Sequence, residues 1–375
     1  MKVGIMSMQR IVNYGSFLQS YSLKKNLEKM GAEVCMVDYH VGKPLVSENR
    51  SKKSIIKKKI KSLKDKYLFP REKSMDVYDK HWKMEYKITC DFINEIQPMI
   101  GVTKERNYTP DLDLLIVGSD EVFNCLQTNP DVGYSKELFG YGNKADKIIT
   151  YAASFGNTKE EGLKKYGIYD EVKDMILKFD DISVRDDNSS LIISNMGVNN
   201  IHKNVDPVFL YDYEQETDIE VPYTNYIVVY SYSCRISKEE ARAIKKFAKK
   251  YNKKVICVEG HQKYFDEYIA INPFEVLAYF RKADFIVTDT FHGTVFSIKY
   301  NKQFVTLIRK GVEQVYGNSE KLEDLLKTFN LGNRELTNVS DLEDKLLETI
   351  DYEPVNMKIS SEKQKALDYL RNFVE

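Results

Sequence analysis

One stretch of the sequence joins an apolar strand, a polar turn and a helix start: Asp284-Phe285-Ile286-Val287-Thr288-Asp289-Thr290-Phe291-His292-Gly293-Thr294-Val295-Phe296. Its apolar run predicts a buried strand over residues 285–288, and a short helix is predicted over residues 294–300. In open α/β sheets, ligands bind beyond the carboxyl ends of the strands and face the helix N-termini that follow. We therefore expect His292 and Gly293 to border a ligand site.

The residue types in this stretch suit an anionic ligand. The N–H groups and the positive dipole end at a helix N-terminus favour a phosphate or a carboxylate. Gly293 lets the backbone approach a ligand closely, because it has no side chain. An imidazole such as that of His292 binds an anion or exchanges a proton near neutral pH. The alternative interpretation is that His292 is a structural residue that caps the turn.

Similar short apolar runs elsewhere predict two α/β units in series. The strands expected in the first unit are residues 3–8, 34–37, 112–117, 148–153 and 182–184. Those expected in the second unit are residues 226–230, 255–258, 285–288 and 304–308. Short apolar strands that alternate with helices indicate buried parallel sheets. The expected domains are residues 1–206, with a basic helical insertion at about 43–108, and residues 207–350. Residues 351–375 are expected to form a helix that packs on either domain.

Composition excludes several classes of protein. The chain has 375 residues, 42% of them hydrophobic and 30% charged, with a formal net charge of zero. This balance is typical of a globular protein, and a nucleic-acid partner is not expected without a basic excess. No apolar run is long enough to cross a bilayer, and no secretory signal pattern is present, so a cytoplasmic location is expected. The five scattered cysteines predict reduced thiols and no metal site.

One segment is strongly basic. Residues 50–73 hold eleven Lys or Arg and two acidic residues, and Ile56, Ile60, Leu63 and Tyr67 fall at helical spacing. One hypothesis is an attachment face for an anionic membrane or for a lipid-linked substrate, which would place the protein peripherally at the inner face of the membrane. The other, which we favour, is a solvated insertion helix whose apolar stripe packs on the first domain.

Three further strand ends carry candidate site residues. Ser119 and Asp120 follow one apolar strand, and Ser154 follows another. Small residues there leave room for a ligand, and Ser and Asp side chains hydrogen-bond hydroxyl groups, although each end read singly is more often an ordinary tight turn. Arg185 follows a third strand, where it is placed either to clamp a carboxylate or phosphate in bidentate fashion or to form a surface ion pair with Asp186 or Asp187.

Six motifs in order resemble the polysaccharide pyruvyl transferase family. They are Asn13-Tyr14-Gly15 with Leu18-Gln19-Ser20-Tyr21, Gly118-Ser119-Asp120-Glu121-Val122-Phe123-Asn124, Tyr151-Ala152-Ala153-Ser154-Phe155-Gly156, Ser183-Val184-Arg185-Asp186, Asp206-Pro207, and Asp289-Thr290-Phe291-His292-Gly293. The matches extend over about residues 3–307. Each motif is weak singly, whereas six of them in family order are specific.

The resemblance implies a GT-B-like fold, in which two Rossmann-like domains face a cleft. It also implies transfer of pyruvate from phosphoenolpyruvate to a sugar diol of a cell-envelope or capsule polysaccharide precursor, free or lipid-linked, as a cyclic ketal. His292 is then the phosphate contact or general acid, and Asp120 orients or deprotonates a sugar hydroxyl. The expected substrate-binding residues are Asn13, Tyr14, Gly15, Ser119, Ser154, Arg185, Thr290 and Gly293. No cofactor or metal is required.

One residue departs from the family pattern. The last motif resembles Arg-Leu-His-Gly in the family, with an arginine that binds phosphoenolpyruvate, and Thr290 stands at that position here. Threonine does not replace a bidentate guanidinium. The residues that we consider as replacements are Arg185, Arg281, Arg309 and Lys310. Two alternatives therefore stay open, namely a GT-B-like glycosyltransferase that uses a nucleotide sugar and a non-catalytic protein that binds a sugar or an anion.

Overall fold

The computed structural model describes residues 1–46, 71–309 and 319–375 of the chain. The basic segment at residues 50–73 therefore lies almost entirely outside the described residues, and so does Lys310. The described chain forms two lobes, each built on a six-stranded sheet in which all strands are parallel. None of the helices in the described ranges is long and apolar enough to cross a membrane.

The N-terminal lobe has the strand order β2-β1-β3-β4-β5-β6. The strands are Lys2–Met6 (β1), Glu33–Met36 (β2), Leu114–Asp120 (β3), Lys147–Ala153 (β4), Ser183–Val184 (β5) and His202–Lys203 (β6). Its helices are Tyr14–Lys29 (α1), Arg71–Asp91 (α2), Glu160–Lys165 (α3), Tyr169–Ile176 (α4) and Asp187–Asn195 (α5). β3 is buried along its whole length, which explains its nearly continuous apolar sequence.

The C-terminal lobe has the strand order β12-β11-β10-β7-β8-β9. The strands are Tyr226–Ser231 (β7), Lys254–Glu259 (β8), Tyr268–Ile269 (β9), Phe285–Thr288 (β10), Gln303–Leu307 (β11) and Glu335–Leu336 (β12). Its helices are Lys238–Lys250 (α6), Pro273–Lys282 (α7), Phe291–Lys299 (α8), Ser319–Thr328 (α9), Leu342–Leu347 (α10) and Tyr352–Val374 (α11). Read from β9, this is the strand order of dinucleotide-binding Rossmann folds.

The two lobes share one packed core. Phe17 and Tyr21 of α1 pack edge-on against Phe274 of α7, with ring centroids 5.7 and 5.1 Å apart. The last helix, α11, contacts both lobes. The Tyr352 hydroxyl donates to the carbonyl of Lys302 in the C-terminal lobe, and the Tyr369 hydroxyl donates to the carbonyl of Thr150 in the N-terminal lobe. The predicted fold class, α/β with two Rossmann-like domains that face a cleft, is confirmed.

Candidate active site

A cleft of about 680 Å³ separates the carboxyl ends of the two sheets. In the N-terminal lobe the cleft lies beyond β1 and β3, and in the C-terminal lobe it lies beyond β7 and β10. Each of these pairs of neighbouring strands marks the point where the strand order of its sheet reverses. Open α/β sheets bind their ligands at this point. The cleft, which both lobes line, is therefore the candidate active site.

His292 reaches the cleft from the first turn of α8. The helix begins at Phe291, three residues before the predicted start, so that prediction is wrong. The reason is an N-cap, since Thr290 Oγ1 accepts a hydrogen bond of 2.9 Å from the backbone N–H of Gly293. A Cβ on Gly293 would lie 2.1 Å from Thr288 Oγ1, so glycine is required there for α8 to pack on its own sheet.

Gly15 makes room for the His292 ring. A Cβ atom at position 15 would lie 2.0 Å from both Cγ and Nδ1 of His292, closer than any real contact. The imidazole of the C-terminal lobe therefore lies directly against the first turn of α1 in the N-terminal lobe. The sequence predicted Gly15 and His292 in one site, but it did not predict that they are in direct contact. The structure shows that they meet across the cleft.

The two residues before Gly15 fix the start of α1. Asn13 Oδ1 accepts from the backbone N–H of Ser16, which caps the helix, and Asn13 Nδ2 donates to the hydroxyl of Tyr232 in the other lobe. Tyr14 is buried and stacks on Phe92. Asn13 therefore lines the cleft, whereas Tyr14 anchors α1 in the shared core.

Behind His292 lies a buried network of charged groups. Arg185 Nη1 lies 2.9 Å from Asp206 Oδ2, and Arg185 Nη2 lies 3.5 Å from Asp120 Oδ1. Asp206 Oδ2 is also 3.4 Å from His292 Nε2. On its other oxygen, Asp120 accepts a 2.5 Å hydrogen bond from the Ser16 hydroxyl. Asp206 thus lies at ion-pair distance from the imidazole, whose buried Nε2 makes no hydrogen bond, and Asp120 joins this network to the N-terminus of α1.

These contacts keep both aspartates ionised. Burial opposes the ionisation of Asp120, but the charges of Arg185 and His292 outweigh it and hold the pKa of Asp120 below its usual range. Burial likewise opposes the ionisation of Asp206, and the neighbouring His292 and Arg185 lower its pKa. An ionised Asp120 at the cleft wall is able to accept a hydrogen bond from a hydroxyl group of a ligand.

Arg185 faces a second, smaller cavity. Its guanidinium stacks over the Phe291 ring at 4.0 Å from the centroid, and its Nε makes no hydrogen bond. Arg185, Asp206 and Phe291 line a cavity of about 240 Å³, whose other wall includes Lys203 of β6 and Lys365 of α11. Arg185 therefore does not line the cleft itself. It affects the charge of the site through its ion pairs with Asp120 and Asp206.

Ser119 and Ser154 lie inside the N-terminal lobe. Both side chains are fully buried. The Ser119 hydroxyl donates to the carbonyl of Ala152, and the Ser154 hydroxyl donates to Asp186, the N-cap of α5. Neither serine is among the residues that line the cleft. In this structure the two serines hold the strand ends from which Asp120 and Arg185 project.

Three cations of the cleft wall were not predicted from the sequence. They are Arg10 after β1, Arg235 after β7, and Lys321 on α9. Each is held by a carboxylate: Arg10 by Asp38, Arg235 by Asp289 at 3.1 Å, and Lys321 by Glu121 of the opposite lobe. All three lie outside the family motifs, and only their place in the fold brings them together.

Two of the proposed replacements for the family arginine, Arg281 and Arg309, lie outside the cleft. Arg309 binds Asp289 and Glu240, and Arg281 on α7 donates to the Thr217 hydroxyl. Neither arginine is among the residues that line the cleft. By contrast, Arg235 shares Asp289 with Arg309 and lines the cleft together with Thr290. Within the described residues, no group of three His, Cys, Asp or Glu side chains is placed to hold a metal ion.

The chain matches the model of a known family. The model described as polysaccharide pyruvyl transferase matches residues 13–311, which include Asn13, Asp120, Arg185, Asp206 and His292. A comparison with curated proteins gave no significant match.

Solved structures with a similar fold are distant in sequence. A UDP-GlcNAc 2-epimerase from Methanocaldococcus jannaschii, in complex with UDP-GlcNAc and UDP, is 12% identical with a TM-score of 0.47, and 99% of each chain is covered. The UDP-GlcNAc 2-epimerase from Neisseria meningitidis is 10% identical with a TM-score of 0.44, again over 99% of each chain. An O-GlcNAc transferase mutant from Thermobaculum terrenum is 12% identical with a TM-score of 0.41, over 100% of this chain and 67% of that one.

Proposed function

The chain belongs to the polysaccharide pyruvyl transferase family, and from this premise we propose that it moves pyruvate from phosphoenolpyruvate to two hydroxyl groups of a sugar. The acceptor in this proposal is a precursor of a cell-surface polysaccharide, free or lipid-linked, which the enzyme modifies in the cytoplasm or at the inner face of the membrane. The observation that carries the proposal is the contact of His292 with Gly15, which holds an imidazole of one lobe beside Asp120 of the other.

The donor has two negative groups, and the cleft offers cations for them. We place the donor against the C-terminal lobe, where Arg235 and His292 both line the cleft. Arg235 then replaces the family arginine, since position 290 holds a threonine here and a guanidinium is suited to binding a carboxylate or a phosphate. Thr290 itself keeps α8 in place by capping it.

The reaction needs one proton donor and one group that accepts protons from hydroxyls. In the proposed sequence, His292 protonates the methylene carbon of the donor, which leaves an oxocarbenium-like centre at the adjacent carbon. The first sugar hydroxyl adds to that centre and gives its proton to Asp120. The carbon–oxygen bond to phosphate then breaks as Asp120 passes this proton to the leaving phosphate. The second hydroxyl adds to the same carbon, gives its proton to Asp120 and closes the ketal, and that proton returns to His292 through solvent. The two lobes hold donor and acceptor in contact, which removes much of the entropic barrier.

The proposal is tested by measuring phosphate release from phosphoenolpyruvate with and without acceptor. We expect His292→Ala to lower the rate by about 100-fold or more, because a positioned acid contributes on that order. The matched control is His40→Ala, since His40 is exposed and pairs with Glu137 outside the cleft. Thermal unfolding of His40→Ala should stay close to that of the wild type. His292→Ala should unfold at a lower temperature, because the buried Asp206 loses a partner, and both variants are assayed well below that temperature. Unchanged turnover in His292→Ala would remove His292 from the mechanism.

The donor is tested separately by ligand-induced thermal shift. We expect phosphoenolpyruvate to raise the melting temperature of the wild type, because a ligand that binds only the folded state stabilises it. Arg235→Gln should lose most of this shift. A shift with UDP-glucose and none with phosphoenolpyruvate would contradict the proposed donor and favour a glycosyltransferase.

A further inference from the structure

Helix α2 exposes a pair of stacked aromatic rings. Trp82 is 55% exposed and Tyr86 is 61% exposed, and their rings lie nearly parallel, 9° apart in plane and 5.8 Å apart between centroids. Large apolar side chains that stay in water at this exposure cost solvation free energy, and contiguous ones commonly mark a binding surface. We call Trp82, Tyr86 and Ile93 the aromatic stripe.

The two rings lie on α2, and the neighbouring face of this helix packs against the C-terminal lobe. His81 packs edge-on against Tyr268, with centroids 5.5 Å apart, and Met84 packs on the core of that lobe. Glu85 accepts a hydrogen bond from the Ser233 hydroxyl and pairs with His261. The stripe therefore has a fixed position relative to the cleft.

The stripe runs into the cleft. Ile93 is 44% exposed and lines the cleft, in the short segment that continues α2. Seven and eleven residues, which are about two and three helical turns, separate it from Tyr86 and Trp82, so the three side chains lie near one face although Ile93 is in a π-helical segment. The rings then lie about 10 and 16 Å from Ile93 along the helix axis. A ligand that leaves the cleft along this face meets the two rings in turn.

We propose that the aromatic stripe binds the sugar units of the acceptor that lie next to the one being modified. This inference rests on the proposed function, which requires a glycan acceptor. Pyranose rings present flat C–H faces that pack on aromatic rings, while their hydroxyls stay in water. The exposed neighbours Lys83 and Lys87 limit the apolar surface to one side chain in width. Such a narrow row fits a linear chain of sugar rings, whereas a helix that lies in a membrane needs a wide apolar face.

The test uses the fact that Trp82 is the only tryptophan of the chain. Its emission is followed during titration with cellohexaose, maltohexaose and chitohexaose, with no donor present. We expect a saturable change with at least one hexasaccharide and none with glucose at the same sugar concentration. Tyr86→Ala should weaken that binding about fivefold, since one aromatic contact contributes about 1 kcal/mol. Tyr141→Ala is the matched control, because Tyr141 is equally exposed, at 61%, and does not line the cleft.

The outcomes separate this inference from the proposed function. A change in Trp82 emission in this titration, together with no phosphate release in the separate assay with phosphoenolpyruvate and acceptor, would support the stripe and contradict the proposed reaction. No response to any hexasaccharide, or equal affinities in Tyr86→Ala and the wild type, would overturn the stripe whatever the reaction. A response to vesicles of phosphatidylcholine and phosphatidylglycerol alone would identify a membrane contact and overturn it too.

Discussion

At the scale of single residues, the site depends on the absence of one side chain. Gly15 lies in the first turn of α1, where alanine is normally a better helix former than glycine. Here a Cβ would lie 2.0 Å from the His292 ring. Glycine is therefore needed at this position to leave space for the imidazole, and not to allow a special backbone conformation of the helix.

We expect Gly15→Ala to lower phosphate release nearly as far as His292→Ala does, because the added methyl group displaces the ring from Asp206. The double variant should be no worse than His292→Ala alone. Gly332→Ala is the control, since no atom lies within 4 Å of a Cβ built there. Near-normal turnover in Gly15→Ala would show that the contact does not set the position of His292.

A second single residue, Glu259, makes the stability of the folded protein depend on pH. Burial at the end of β8 is the main cause that raises the pKa of Glu259 to about 7, with repulsion from Asp289 and Glu85 adding to it. The folded protein then retains this proton up to about pH 7, whereas the unfolded chain releases it near the ordinary value of 4.5. Between these values the folded state binds more protons, so its stability falls as the pH rises.

We expect Glu259→Gln to reduce this loss of stability. The fall in unfolding free energy from pH 5 to pH 8 should be smaller in the variant by about 1–3 kcal/mol. The measurement is urea unfolding at both pH values. Glu239→Gln, at an exposed position of α6, is the control and should follow the wild type. The same pH dependence in Glu259→Gln as in the wild type would exclude Glu259 as its source.

At the scale of elements, α8 shows where sequence reasoning succeeds and where it fails. The strand and the helix around His292 were predicted, as were the long apolar strands, because runs such as residues 114–117 are specific for a buried parallel strand. The helix start was misplaced because Thr290 was assigned to a turn, although threonine is a common N-cap. The two-residue strands β6, β9 and β12 were missed, since two residues show no periodicity.

The cap at Thr290 is tested by two substitutions. Thr290→Ala removes the oxygen that accepts from Gly293 and should lower the unfolding free energy by about 1 kcal/mol. Thr290→Ser keeps that oxygen and should stay close to the wild type. Urea unfolding measures both, and phosphate release reports whether a frayed first turn also displaces His292. Equal stability of the two variants would contradict the capping role.

At the scale of the whole molecule, the cleft is set by contacts between lobes that no local pattern encodes. Phe17 meets Phe274, Lys321 meets Glu121, and Glu85 meets His261, each across a sequence separation of well over 150 residues. The sequence predicted two α/β units and put His292 and Asp120 in one site. It did not predict Arg235 at the cleft wall or α2 on the C-terminal lobe, because both depend on how the lobes pack.

The most direct test of the account is the position of phosphoenolpyruvate in a crystal of the wild-type protein soaked without acceptor. We predict density for the donor in the cleft, with a phosphate or carboxylate oxygen in hydrogen-bond contact with His292 and a second anionic group facing Arg235. Donor bound instead in the smaller cavity beside Arg185 and Lys203, with no contact to His292, would contradict the account.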